Sequence, residues 1–181
     1  MRITFKVAFD EQNALELLNA LARVNERILR HPKYVGRFPL LYDSGVVYRR
    51  ERDETWSDVV NTLAQGHEDC DALAAWRAGE LRARGAAALR PGDGGHAEAL
   101  RQRLTSIPAE VMLTTRTREG RPGLYHCVAR YQVGGAEFTD DPSARLGMFH
   151  GRVDPKVRGW WQKLGITPAS AVADDRAWEV T

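Results

Sequence analysis

Three residues of the chain carry side chains that together could perform nucleophilic catalysis. Cys70 stands where a Gly-led polar turn, residues 66–69, gives way to an amphipathic helix. His126 lies in the strand-like residues 124–131, and Asp141 directly follows the next strand-like segment. A thiol at a helix start, an imidazole that takes its proton and a carboxylate that orients the imidazole are the components of a cysteine nucleophile site. The residue types and their order therefore predict acyl-transfer chemistry.

The residues around Cys70 act on its pKa in opposite directions. A helix N-terminus and a nearby imidazolium both favour the thiolate. Negative charge disfavours it, and Glu68, Asp69 and Asp71 all flank the thiol. An activated Cys70 thus requires these acids to cap the helix or to point to solvent.

The strand around His126 restricts which of its neighbours can share the site. Alternation along a strand places His126 on one face and Cys127 on the other. This disfavours Cys127 as the nucleophile and also as a disulfide partner of Cys70. An acid at the end of the next strand can reach the imidazole from the neighbouring strand. Asp141, whose backbone the following proline holds extended, is the predicted third member, and Asp140 is its competitor.

An acyl-transfer site also needs hydrogen-bond donors for the oxyanion of the tetrahedral intermediate. The backbone N–H of Cys70 is one candidate. The side-chain amide of Gln65, five positions upstream, is a second. Gln65 fits an exposed glutamine at the end of a helix equally well, so both interpretations stay open.

The elements that must position these residues follow an α+β pattern. Apolar residues at helical spacing and plausible caps at Asp10, at Thr55 or Ser57 and at Gly85 predict helices over residues 11–29, 56–64, 69–84, 97–104 and 155–164. Alternating or short apolar runs predict strands over residues 3–9, 45–48, 110–118, 124–131 and 136–140. Because Gly-containing hairpin connectors join the last three strands, we expect an antiparallel meander.

Three segments resemble the transglutaminase-like cysteine peptidases, and particularly the small versions encoded by bacteriophages and prophages. They are residues 66–74 with Cys70, residues 125–128 with His126 and residues 141–143 with Asp141. The resemblance covers about half of the chain, residues 55 to 148. It implies a papain-like, transglutaminase-like α+β fold in which the nucleophile helix packs on an antiparallel sheet.

The resemblance also implies amide-bond chemistry: peptide hydrolysis, deamidation or transamidation. Cys70 would attack a carbonyl carbon, His126 would take the thiol proton and return it to the leaving amine, and Asp141 would orient His126. The implied partner is a peptide or amide substrate such as a phage or bacterial cell-wall protein, and no metal or organic cofactor is required. The implied location is the cytoplasm of a bacterial host or the virion.

The composition bounds the class of protein. The chain has 181 residues, 43% of them hydrophobic, which suits one domain over residues 1–150, including an N-terminal strand–helix extension, and a C-terminal helix and tail over residues 151–181. The net charge of +2 arises from 26 basic and 24 acidic residues without a basic stripe, so nucleic-acid binding is not expected. No apolar run is long enough to span a membrane, and the alternating N-terminus does not resemble a signal peptide.

Other interpretations of the same residues compete with a triad. The two cysteines fit a reducing compartment, with a Cys70–Cys127 disulfide as the rival. A non-catalytic phage structural or assembly protein could retain the fold and dock partners through its tail tryptophans. A metal site lacks paired ligand spacing but has possible ligands, namely His67, Asp69, Cys70, Asp71, His126, Asp140 and Asp141.

Overall fold

The fold was obtained as a computed structural model that describes residues 11–50, 55–118 and 121–148. These residues form helices and strands of a mixed α+β fold, which confirms the predicted class. The strand predicted at residues 3–9 and the helix predicted at residues 155–164 lie outside the described residues. Within the described parts of the chain, no helix has both the length and the apolar character needed to cross a membrane.

The elements predicted within the described residues are present, with differences at their ends, and β2 and α5 are additional. The helices are α1 Glu11–Arg30, α2 Val59–Gln65, α3 Cys70–Arg84, α4 His96–Arg101 and α5 Pro142–Arg145. The strands are β1 Val47–Tyr48, β2 His67–Glu68, β3 Ala109–Arg118, β4 Arg121–Val133 and β5 Ala136–Asp140. Short 3₁₀ helices span Leu41–Asp43 and Gly85–Ala88.

The strands form two sheets. β3, β4 and β5 make the expected antiparallel meander, in which Thr114 lies opposite His126. β5 pairs with β4 only from Ala129, opposite Asp140, to the hairpin, so the earlier part of β4 has β3 alone as its strand neighbour. β1 and β2 form a two-residue parallel pair. β1 lies within the strand predicted at residues 45–48, whereas β2 was not predicted, because a strand this short carries no periodic signal.

Capping groups decide where the helices begin. Asp69 caps α3, since its carboxylate accepts the Asp71 N–H at 3.3 Å. The cap predicted for α2 at Thr55 or Ser57 is wrong. Asp58 caps α2 instead, because its carboxylate accepts the N–H groups of the second and third helical residues, both at 3.0 Å.

Helix α3 is the centre of the molecule. It lies between two apolar clusters, one shared with α1 and the antiparallel sheet and one with the segment from Leu29 to Leu63. Its apolar side chains are buried on both sides. Gly79 marks the closest approach to α1, since a Cβ atom there would lie 2.7 Å from the Ala22 carbonyl oxygen and 2.8 Å from the Asn25 Cβ. The helix that carries Cys70 is thus held firmly by its neighbours.

Candidate active site

Cys70 is the first residue of α3 and lies against the edge of the antiparallel sheet. β1 and β2 run parallel beside it, and β2 ends two residues before the thiol. The side chain is half-buried, packed at the margin of the cluster that α3 shares with the sheet. This position combines a helix N-terminus, which favours a thiolate, with partial access to solvent.

His126 and Asp141 meet above the end of β5. Asp141 follows β5 and caps α5, so its Oδ1 accepts the Ala144 N–H at 3.0 Å. Its Oδ2 accepts the His126 Nε2–H at 2.9 Å. Because a carboxylate only accepts, this contact places the proton on Nε2 and leaves Nδ1 for another partner. The His126 ring is buried, with 4% of its side chain exposed.

His126 joins this carboxylate to the thiol. The ring also acts on the thiol, since its interaction with the Cys70 side chain is among the causes that lower the pKa of Cys70 and raise that of His126. The hydrogen bond to Asp141, followed by the one to Cys70, raises the pKa of His126 to about 9. The structure therefore brings together all three residues of the predicted triad, with the imidazole in the middle.

Cys70 has the electrostatic character of a thiolate. A hydrogen bond from the Cys127 thiol is the largest influence that lowers its pKa, and burial opposes it. Hydrogen bonds from His126 and from the Cys127 backbone N–H add to the lowering, and together they bring the pKa of Cys70 to about 5. With the imidazole titrating near pH 9, a thiolate–imidazolium pair is the expected state between these two values.

Cys127 lies at the site, which corrects the expectation that strand alternation turns it away. Its thiol and its backbone N–H are both among the influences that lower the pKa of Cys70. β5 does not pair with β4 before Ala129, so no third strand lies beside the part of β4 that carries Cys127.

The acids beside Cys70 do not act as three free negative charges. Asp71 is buried, and burial raises its pKa to about 10, helped by its hydrogen bond to Asp69. Its Oδ1 also accepts the Ala72 N–H at 2.7 Å. Asp71 is therefore a neutral acid at pH 7, while Asp69 caps the helix and Glu68 is enclosed within β2. The acidic sequence around the thiol is compatible with a thiolate for this reason.

Asp140, the competitor of Asp141, is bound elsewhere. Its Oδ2 accepts from Nε of Arg77 at 2.7 Å, and its Oδ1 lies 3.1 Å from Nε of Arg145. Arg77 lies on α3, two turns after Cys70, and is fully buried. Two guanidinium groups thus hold Asp140, and the adjacent Asp141 is the carboxylate that faces His126.

Arg77 organises a buried charged cluster. Its Nη1 donates to Glu80 at 2.9 Å and to the Ala88 carbonyl at 2.7 Å, and its Nη2 lies 3.3 Å from Asp93. The Tyr42 ring lies 4.9 Å from the Arg77 guanidinium carbon. Each nitrogen of the planar guanidinium thereby finds a partner inside the protein. The cluster attaches the end of β5, and with it the start of α5, to the helix that carries the thiol.

Two further residues bear on the thiol: Gln65, which the sequence predicted as an oxyanion donor, and Tyr48, which it did not indicate. Gln65 is exposed, and its amide donates to Ser57 Oγ at 3.4 Å, so its oxyanion role stays a prediction. Burial raises the pKa of Tyr48, and the charge of Cys70 is the next cause, so this phenol lies within electrostatic range of the thiol. The pairing of β1 with β2 and the hydrogen bond from the Tyr48 N–H to the Leu146 carbonyl hold this residue in place.

Among the residues that the structure describes, no group of three or more His, Cys, Asp or Glu side chains is arranged to hold a metal ion. Comparison of the chain with protein-family models, with curated proteins and with solved structures gave no match. The functional conclusion therefore depends on the geometry around Cys70.

Proposed function

We propose that the protein is a thiol-dependent acyl-transfer enzyme of the peptidase or amidase type, with Cys70, His126 and Asp141 as its catalytic triad. One observation carries this proposal: a buried imidazole lies between a carboxylate, at 2.9 Å, and a thiol at the start of a helix. A satisfied structural histidine has no need of both partners, whereas a general base for a nucleophile requires them.

The chemistry follows from the protonation states. The Cys70 thiolate attacks the carbonyl carbon of an amide, and the His126 imidazolium protonates the leaving amine. The neutral imidazole then removes a proton from water or from an acceptor amine, which attacks the thioester and releases the acyl group. Asp141 holds the imidazole in the required orientation throughout. The Cys70 N–H and Gln65 are the proposed donors to the oxyanion.

The finer fold assignment belongs to the same proposal. α3 packs on β3 and β4 with the thiol at its first residue, which is the relationship expected of a papain-like, transglutaminase-like domain. The resemblance of residues 66–74, 125–128 and 141–143 supports this assignment. A phage particle or a bacterial cell wall is the proposed setting for the substrate.

The first test is the pH dependence of Cys70 alkylation by iodoacetamide, followed on the Cys70 peptide by mass spectrometry. The rate should be half-maximal near pH 5 and should stay on a plateau from about one pH unit higher up to about pH 9, because the thiolate persists over this range. At pH 6 it should be at least about tenfold higher than in His126→Ala, which loses one of the hydrogen bonds that stabilise the thiolate. A rate that rises only near pH 8.5, as for an ordinary thiol, would favour the non-catalytic structural protein instead.

The second test measures acyl transfer itself, with p-nitrophenyl acetate as the acyl donor. Acetyl transfer to Cys70 should be followed by release to water or to an added amine, and Cys70→Ser should abolish both steps. Asp141→Asn should lower turnover by about 10³-fold or more, since the uncharged amide that replaces the carboxylate does not stabilise the His126 imidazolium. Asp58→Asn is the matched control, because both aspartates cap helices and asparagine preserves each cap. Equal effects of the two substitutions would contradict the proposed role of Asp141.

A further inference from the structure

Helix α5 is a single turn, and the carboxylate that holds His126 stands at its start. Asp141 is the N-cap of α5, with Oδ1 accepting the Ala144 N–H at 3.0 Å and Oδ2 accepting the His126 Nε2–H at 2.9 Å. A helix of four residues, Pro142–Arg145, is not stable by itself, because forming the first turn fixes several residues for one hydrogen bond. The orientation of Asp141 therefore depends on the tertiary contacts that hold α5.

Arg145, the last residue of α5, reaches from the surface into the protein interior. Its side chain is 42% exposed, yet Nη1 donates to Asp93 Oδ1 at 2.7 Å and Nε lies 3.1 Å from Asp140 Oδ1. The side chains of these two aspartates are only 4% and 2% exposed. The guanidinium carbon also lies 5.0 Å from the centre of the Tyr42 ring. Because both anions are buried, these ion pairs are screened less than exposed ones are.

Asp93 is a fixed point for this contact. It lies between the second 3₁₀ helix and α4, and its Oδ2 accepts the Arg90 N–H at 2.9 Å. The same oxygen lies 3.3 Å from Nη2 of Arg77, which is buried on α3. Both oxygens of the carboxylate are thus engaged, so Arg145 is held against an anchor that belongs to other elements than α5.

We propose that Arg145 is a positioning residue: by tying α5 to two buried aspartates, it holds the Asp141 carboxylate against the His126 ring. Arg145 acts through Asp141 and takes part in no chemical step. The effect of this residue on catalysis rests on the proposed function. Its effect on the contact between Asp141 and His126 does not, because that contact exists whether or not the protein turns over a substrate.

The backbone contacts of α5 do not replace this tie. The Arg145 N–H donates to the Asp141 carbonyl at 3.3 Å, which closes the turn but fixes nothing outside it. The Tyr48 N–H donates to the Leu146 carbonyl at 2.8 Å, one residue beyond the turn. A single hydrogen bond at one end leaves a short turn free to rotate about it, and the ion pairs of Arg145 restrict that rotation. Asp141 and Arg145, four residues apart, lie on the same side of the turn.

Loss of Arg145 would act on the pKa of His126 in two opposite ways. Removal of a cation alone would favour the imidazolium and raise this pKa. The hydrogen bond to Asp141 is the largest cause that raises the pKa of His126, so displacement of Asp141 would lower it. A positioning role therefore predicts a lower pKa of His126 without Arg145, and a purely electrostatic role predicts a higher one.

The experiment measures the pKa of His126 by NMR in the intact chain with ¹⁵N-labelled histidine. The signal is assigned among the five histidines by its absence from His126→Ala. The compared proteins all carry Cys70→Ala, so that the thiolate does not contribute. In this background Arg145→Gln should lower the pKa of His126 by about one pH unit or more. Arg130→Gln, a similarly exposed arginine paired with Glu110, is the matched control and should change it by less than about 0.3.

Two further variants test the path and protect the experiment against a failure to fold. If Arg145 acts through Asp93, the decrease in the pKa of His126 in the double variant Arg145→Gln/Asp93→Asn should be less than the sum of the two single decreases. Arg145→Lys keeps the charge, but one ammonium cannot pair with both aspartates as a guanidinium does, so this pKa should fall by a smaller amount. If Arg145→Gln does not fold, Arg145→Lys decides.

An unchanged or raised pKa of His126 in the Arg145 variant would overturn the proposal, as would equal decreases in Arg145→Gln and Arg130→Gln. Kinetics with Cys70 restored separate this inference from the proposed function. With p-nitrophenyl acetate, Arg145→Gln should lower kcat by about 10- to 100-fold and leave KM within about twofold. A lower pKa in a protein without acyl-transfer activity would support the positioning role and reject only the enzyme. A lower kcat without a lower pKa would reject the positioning role.

Discussion

Asp71 occupies a position at which an ionised carboxylate would oppose the thiolate beside it. Burial and the hydrogen bond to Asp69 raise its pKa to about 10, so it keeps its proton at neutral pH. In the unfolded chain an aspartate ionises near pH 3.9. Between these values folding takes up a proton, and the free energy of unfolding therefore falls as the pH rises.

Asp71→Asn should remove this pH dependence. An asparagine amide can donate to Asp69 and its oxygen can accept the Ala72 N–H, as the neutral acid does. The stability of the variant relative to wild type should therefore grow between pH 5 and pH 9, by on the order of 1 kcal/mol per pH unit. Thermal unfolding at several pH values measures it. Asp58→Asn is the control, and a difference for Asp71→Asn that stays constant with pH would show that Asp71 is ionised.

The three triad residues could be proposed from the sequence because each has a local signal. A Gly-led turn before a helix indicates Cys70, a strand pattern contains His126, and a strand end before proline contains Asp141. The place of Cys127 could not be derived, because strand alternation assigns it to the face opposite His126. The protonation state of Asp71 could not be predicted from the sequence either, since it depends on burial by residues that are distant along the chain.

A hydrogen bond of the Arg77 guanidinium joins helix α3 to the end of strand β5. The guanidinium contacts Asp140 at the end of β5 and Glu80 on its own helix. All of these groups are removed from solvent. A buried charge is tolerated only when it is paired, and loss of one partner leaves the others uncompensated.

Arg77→Lys should be strongly destabilising although it preserves the charge. One ammonium cannot reproduce the planar set of donors that reaches Asp140, Glu80 and Ala88 together. The expected loss is about 3 kcal/mol, measured by denaturant unfolding. Arg130→Lys, in the more exposed ion pair with Glu110, is the control and should change stability by less than about 1 kcal/mol. Equal losses in the two variants would show that the buried cluster has no special role.

Element boundaries were predictable where a capping residue is unambiguous and were missed where several compete. Gly85 ends α3 as expected, because a glycine after a helix is a strong signal. Asp69, predicted as the first residue of this helix, is its N-cap instead, and the helix begins one residue later. Before α2 the run Thr55, Ser57 and Asp58 offers three caps, and only the last has its acceptor at the helix N–H groups. The apolar run at residues 45–48 indicated β1, whereas the two-residue strand β2 and its pairing with β1 had no signal of their own.

At the scale of the whole molecule, the close contact between α1 and α3 determines how the nucleophile helix is supported. Asn19 on α1 makes two hydrogen bonds to the backbone of Val111 in β3, at 2.9 and 3.2 Å. Asn25, also on α1, accepts the Val59 N–H at 2.9 Å and so fixes the start of α2. Gly79 allows α3 to approach this helix closely.

Gly79→Ala should reduce stability, although alanine is the better helix former. Helix propensity alone predicts a gain of about 1 kcal/mol. The added Cβ would meet backbone atoms of α1 at 2.7 to 3.0 Å, and backbone cannot move aside cheaply. We expect a net loss of about 1–3 kcal/mol in denaturant unfolding. Ala83→Gly on the same helix calibrates the propensity effect. A gain in stability for Gly79→Ala would show that the two helices are not in close contact.

Because α1 supports α3, it determines the shortest fragment of this protein that can be expected to fold by itself. The motifs that suggest chemistry all fall within residues 55–148, and a researcher seeking a minimal fragment would be inclined to trim everything before them. Such a fragment would expose the side of α3 that Leu18 and Ala22 now cover and would leave Val59 and Val111 without their asparagine partners. Expression libraries and fusion boundaries should therefore retain the first helix.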